Sequence, residues 1–110
     1  MYAGPLSPTT IYGTWADNIE VTSIEDDTLY DFSALTEITL KLKDPSTKFD
    51  ELILTMTNGD ITLPSLGIIQ WTCSADRMGA LDPNTYEVIL LLDDGAEIVP
   101  LVLGSIAVVD

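Results

Sequence analysis

A chain of 110 residues with 46% apolar content makes one domain with side chains enough for its own core, and it is too apolar to be disordered. Eighteen acidic residues against four basic ones give a formal net charge of -14, which sets the surface against phosphate backbones and excludes nucleic-acid binding driven by lysine and arginine. Histidine is absent, which removes Ser-His-Asp and Cys-His catalysis and zinc sites built on imidazole.

Residues 1–13 contain Gly4, Pro5, Pro8, Thr9 and Thr10 without any period, the composition of an extended arm. The same stretch carries Tyr2, Leu6, Ile11 and Tyr12, with Trp15 close behind. These apolar anchors need a surface, either the chain's own sandwich or a neighbouring subunit. The reading therefore divides the chain into an arm of residues 1–15 and a β-sandwich domain of residues 16–110. The opening residues lack the basic and apolar regions of a secretory signal, and the Met1 start reads as a cytoplasmic product.

From Asn18 the side chains alternate, with Ile19 and Val21 inward and Glu20 and Thr22 outward, which predicts a first strand. Glu25-Asp26-Asp27-Thr28 is an acidic turn, and Leu29 to Ser33 leads onward. Glu37 to Lys43 is the cleanest period-2 segment, closed by Asp44-Pro45-Ser46. Leu52, Leu54 and Met56 alternate up to Asn58-Gly59, which predicts a tight hairpin with a return strand over residues 60–63 ending at Pro64. Another strand runs from about Ile68 to Cys73. Ala75 to Leu81 offers the one helical turn. Tyr86 to Leu92, the turn Asp93-Asp94-Gly95 and a strand from Glu97 to Leu103 form a hairpin, and Gly104 breaks the run before Ile106 to Val109.

Seven to eight short strands with turns every eight to twelve residues predict an all-β fold, an antiparallel immunoglobulin-like β-sandwich. Its core is expected from Ile38, Leu40, Leu42, Leu54, Ile69, Trp71, Tyr86, Val88 and Leu90. Cys73 alternates with Ile69 and Trp71, so it reads as a small buried hydrophobe. No apolar stretch reaches the length of a membrane-spanning helix.

Two strands break the rule of one polar face. Val88 to Leu92 and Ile98 to Leu103 are apolar on both sides, and Pro100 belongs on a sheet edge or at a bulge. Either the arm covers the outer face of this sheet, around Leu91 and Val99, or another protein does. Leu91, Val99 and Leu101 therefore join Tyr2, Leu6, Ile11, Tyr12 and Trp15 as candidate protein-interaction residues.

No catalytic residue, metal ligand or cofactor motif stands out. Gly59, Gly67 and Gly79 are isolated turn glycines, not a phosphate loop. Asp26-Asp27 and Asp93-Asp94-Gly95 offer hard oxygen ligands for calcium, yet neither has the alternating acids of an EF-hand, and turn chemistry accounts for Asp-Asp-Gly. A rival to the interaction reading is a free-standing module that holds a carbohydrate or small ligand through Trp15, Tyr12 and acidic loops.

The segment Tyr12-Gly13-Thr14-Trp15, with Ile19-Glu20-Val21 and Leu29-Tyr30-Asp31-Phe32-Ser33, resembles small virion proteins of tailed phages that carry immunoglobulin-like sandwiches. Gly67-Ile68-Ile69-Gln70-Trp71 matches their glycine, hydrophobic-x-tryptophan strand. Leu81-Asp82-Pro83-Asn84-Thr85-Tyr86-Glu87-Val88 looks like their approach to the last hairpin, with Asn84 in place of glycine and Tyr30 in place of proline upstream. Asp94-Gly95 and Leu103-Gly104-Ser105-Ile106-Ala107-Val108 complete the likeness. The resemblance implies a non-enzymatic structural part of a virion, a head decoration, neck or tail accessory or fibre-adaptor subunit, made in the bacterial host's cytoplasm. Its implied partners are other virion proteins (capsid, neck or tail subunits), met as a homo-oligomer or on a larger ring or shell. It implies no catalytic residues, and with the charge and hydropathy above no cofactor, nucleic-acid or membrane partner is expected.

Overall fold

Alternation of apolar and polar side chains becomes strand wherever it is clean. The computed structural model describes residues 2–3, 9–10, 13–22, 31–33 and 35–109, the first two pairs by backbone only. The strands are β1 (Tyr2–Ala3), β2 (Thr9–Thr10), β3 (Trp15–Thr22), β4 (Glu37–Lys43), β5 (Asp50–Thr55), β6 (Ile61–Ser65), β7 (Ile68–Cys73), β8 (Asn84–Asp93) and β9 (Ile98–Val109), with one short helix, α1 (Ala75–Met78). They form a smaller sheet ordered β1-β3-β7-β6 and a larger one ordered β2-β9-β8-β4-β5. All pairings are antiparallel except the short contact of β2 with β9. This is the strand order of an immunoglobulin-like sandwich.

The core lies between the sheets. Every other side chain of β4 (Ile38, Leu40, Leu42) and of β8 (Tyr86, Val88, Leu90, Leu92) is buried there, facing Ile19, Val21, Ile69 and Trp71 of the smaller sheet. Each fully buried aliphatic side chain contributes roughly 1.5–3 kcal/mol, so this alternation supplies the main driving force. All nine side chains expected in the core are buried, as is Cys73. Between β7 and β8 the Ser74 hydroxyl caps α1 by accepting from the Arg77 amide at 3.4 Å. The Tyr86 hydroxyl then donates to the Asp82 carbonyl at 2.6 Å, the tyrosine corner of such sandwiches.

Two expectations change. Asn58-Gly59 does turn the chain, with Gly59 at φ 82°, but β5 and β6 do not pair: β5 joins β4 in the larger sheet and β6 joins β7 in the smaller. The turn carries the chain from one sheet to the other because Leu54 and Ile61 both bury into the core from opposite sides. The tight hairpin lies one connection later, where Ser65 pairs with Ile68 around Leu66 and Gly67 at φ 75°. Pro64 sits inside β6, at an irregularity in its pairing on the sheet edge, where a missing N–H is harmless.

The boundary expected at residue 16 falls inside β3, whose first residue, Trp15, pairs with Cys73. Within the expected arm, Tyr2–Ala3 pairs with Val21–Thr22, and Thr9–Thr10 runs alongside Val108–Val109. For these residues the backbone lands on its own chain, one of the two destinations the sequence left open.

Candidate interaction surface

Cross-strand partners in an antiparallel pair project to the same face, so the register of β4, β8 and β9 assigns the side chains of these three strands to one face or the other. Ile89 faces Val102, Leu91 faces Pro100 and Asp93 faces Ile98. On the other side of β8, Lys41 faces Ile89 and Thr39 faces Leu91, and Lys41 faces Ile53 of β5. Since Leu90 and Leu92 point into the core, all of these point away from it. Ile98 is 60% exposed, Val102 61% and Ile53 42%, with Pro100 also exposed and Ile89 and Leu91 half-buried by their neighbours.

The outer face of the smaller sheet is different. Ala16, Asn18 and Glu20 of β3 lie across from Thr72, Gln70 and Ile68 of β7, and Thr62 of β6 lies across from Gln70. On β3 and β7 that surface is polar apart from Ala16 and Ile68, while Leu63 of β6 and Leu66 of the β6–β7 hairpin are exposed at its edge. The larger sheet lines its apolar residues up along two paired strands, Ile89 and Leu91 on β8 beside Ile98, Pro100 and Val102 on β9.

A bulge builds the patch. Val88 pairs with Gly104 and Ile89 with Val102, leaving Leu103 as an extra residue, and Gly104 takes φ 116°. The extra residue resets the alternation of β9. Upstream of it Ile98, Pro100 and Val102 face out, and downstream Ile106 and Val108 face in.

Carboxylates crowd one end of the patch, and the other end carries one carboxylate paired across with a lysine. At one end stand Glu37 and Asp93 with the hairpin residues Asp94 and Glu97, and at the other Glu87, across from Lys43 and Ser105. Glu37 accepts from the Thr57 hydroxyl and amide and from the Ile38 amide, and the Thr57 hydroxyl above all holds its carboxyl below the ordinary value. Asp94 accepts from the Glu97 and Ala96 amides, both at 2.8 Å, and these bonds lower its pKa. Asp93 accepts from the Gly95 amide at 2.8 Å. Turn bonding thus occupies the Asp93-Asp94-Gly95 carboxylates, while Asp26 and Asp27 lie outside the described residues. Among the described residues no cluster of three or more His, Cys, Asp or Glu has the arrangement of a metal site. On the face itself Lys41 is held by Asp50 at 3.1 Å.

The expected site residues separate. Leu91 belongs to the outer patch. Val99 and Leu101 face the other way, across from Leu92 and Leu90, and Leu101 packs partly on the core. Trp15 is not a surface anchor: it is 3% exposed and meets Trp71 edge-to-face at 5.5 Å, so it is a core residue. Its inward direction follows from β3 starting at residue 15, two pleats before Ile19. Leu6, Ile11 and Tyr12 lie outside the described residues, and Tyr2 is placed by backbone alone. Ile98, Pro100, Val102 and Ile89 were missed. Their signal was present in Gly104, which marks a bulge as well as a break.

Other features offer less. Cys73 is buried, and burial pushes its thiol pKa up, away from reactivity. An open cleft of about 310 Å³ is lined by Asp31, Phe32, Ser33, Leu63, Ser65 and Leu66. Among the described residues no helix is long and apolar enough to cross a membrane.

No family model and no curated protein matches the sequence. Among solved structures the chain is similar to the X-ray structure of the endo-beta-1,4-mannanase from Thermotoga petrophila, with a TM-score of 0.58 and 15% identity over 96% of this chain. It spans 18% of that protein's length. At this identity the likeness shows the fold alone.

Proposed function

We propose that the chain is a non-enzymatic assembly protein, a structural subunit that attaches to neighbouring proteins of a tailed-phage virion through the outer face of its larger sheet. The observation that carries this reading is the patch of Ile89, Leu91, Ile98, Pro100 and Val102. A free monomer gains nothing by presenting these side chains to water, whereas docking removes them at roughly 25 cal/mol per Å² of apolar area. The sequence resemblance to small virion sandwiches supplies the setting. Against a carbohydrate-binding module stand the two tryptophans, both buried in the core and unavailable to stack on a sugar ring.

Mass spectrometry of particles purified from cells that carry the gene tests the reading. The chain is expected in the particles at a fixed ratio to their other subunits, and Val102→Asp is expected to fold yet be missing from them. A wild-type chain that elutes as a clean 11.9 kDa monomer and is absent from every particle overturns it.

A further inference from the structure

We infer that the partner seated on this face is another protein whose apolar centre is rimmed by lysine and arginine, and not a second copy of this chain. The inference rests on the assembly reading and specifies its partner. Its first ground is area. Two strands about 4.8 Å apart, each presenting about five residues at about 3.4 Å rise, give the apolar patch a footprint of only roughly 150–200 Å². A stable specific interface needs about 800 Å² on each partner, so most of the contact must be made by what surrounds the patch.

What surrounds it is acidic. Glu37, Asp50, Glu87 and Asp93 outnumber Lys41 and Lys43 on the face itself, and Asp94 and Glu97 extend the acid end through the hairpin. Lys41 is already committed to Asp50. Two copies stacked on this face in the same direction would set the rim of Glu37, Asp93, Asp94 and Glu97 against itself, and in opposite directions those four carboxylates would meet one lysine, Lys43, standing beside Glu87. Each copy would also bring its own formal charge of -14. Like-charge juxtaposition of this kind selects against a self-contact, while a basic rim turns the same groups into steering and register contacts.

Photo-crosslinking reads the occupant directly. The chain is expressed with p-benzoylphenylalanine in place of Val102, or in place of Gln70 on the polar sheet as control, in cells carrying the gene and its neighbours. The expected result is an adduct at position 102 and none at 70, mapping to a lysine- or arginine-flanked surface of a different protein. The complex rebuilt from the two purified proteins should weaken at least tenfold between 50 and 500 mM salt, and at least tenfold in Glu87→Lys/Glu97→Lys. An adduct at 102 with a second copy overturns the partner chemistry but keeps the face as an assembly surface. A different protein whose binding ignores salt and the two charge reversals does the same. No adduct at 102, or equal adducts at both positions, overturns the assembly reading along with the inference.

Discussion

Leu91 and Val99 stand on opposite faces of the larger sheet, although they belong to adjacent paired strands. Leu91 lies across from Pro100 and points outward, whereas Val99 lies across from Leu92 and points inward, at the edge. Val99 keeps 39% exposure there because β9 is flanked by β2 only at Val108 and Val109. The outward surface is thus a row of alternate residues, and substitutions one position apart should have opposite consequences.

Val102→Asp is expected to change stability by no more than about 0.5 kcal/mol, as for other surface substitutions, while abolishing attachment to the partner. Leu92→Asp places a carboxylate in the apolar core and should unfold the domain. Thermal unfolding followed by circular dichroism separates them. Equal loss of structure in both would mean that Val102 is packed inside.

Trp71 is fully buried against Trp15, and neither indole N–H has an acceptor among the described residues. Trp71→Ala should cost about 3–5 kcal/mol in urea unfolding through lost contacts and the cavity left behind. Trp71→Phe should cost less than half of that, since the indole N–H it removes has no acceptor among the described residues. A phenylalanine variant as unstable as the alanine one contradicts this.

Tyr86→Phe removes the hydroxyl bonded to the Asp82 carbonyl and should cost about 1 kcal/mol. Burial raises the Tyr86 pKa above its ordinary value. Above the ordinary phenol value, about 10, the unfolded chain releases this proton while the folded chain keeps it. Its contribution is therefore present below about pH 10 and lost as pH rises through the folded value. The alkaline fall in stability should be shallower in Tyr86→Phe than in the wild type.

Glu37 has the reverse sign. The Thr57 hydroxyl lowers its pKa in the folded state, so its contribution is present above the ordinary value of about 4.3 and is lost as pH falls through the folded one. Thr57→Val should flatten the acid limb of stability against pH without altering it near neutrality beyond a constant offset. An acid limb unchanged from the wild type would show that the hydroxyl does not hold the carboxylate.

Gly104→Ala should cost about 1 kcal/mol or more although, its chain neighbours aside, no atom of the described residues lies within 4 Å of the added carbon. The reason is the backbone: φ 116° is foreign to residues with a side chain, and the bulge depends on it. Loss of partner attachment beyond the loss of stability is expected too, because the bulge sets which residues of β9 face outward. An alanine variant as stable as the wild type removes this account of the bulge.

The sequence by itself determined the sandwich, because burial of alternate side chains is a local, period-2 signal that each strand carries alone. Glu37 to Lys43 and Tyr86 to Leu92 declared their inward residues without any knowledge of their neighbours, and Asp93-Asp94-Gly95 declared its turn through a glycine at positive φ. It also determined that the β8 and β9 strands are apolar at consecutive positions, Val88 to Leu92 and Ile98 to Leu103. Only the tertiary structure decided which of those residues face out. That depends on cross-strand register, and one extra residue at Leu103 inverts the alternation upstream of it, which exchanged Val99 and Leu101 for Ile98, Pro100 and Val102. Pairing decided the rest in the same way: Asn58-Gly59 reads as a hairpin locally, yet each flanking strand finds a partner elsewhere. Trp15 reads as an anchor until Cys73 and Trp71 arrive beside it from more than fifty residues away.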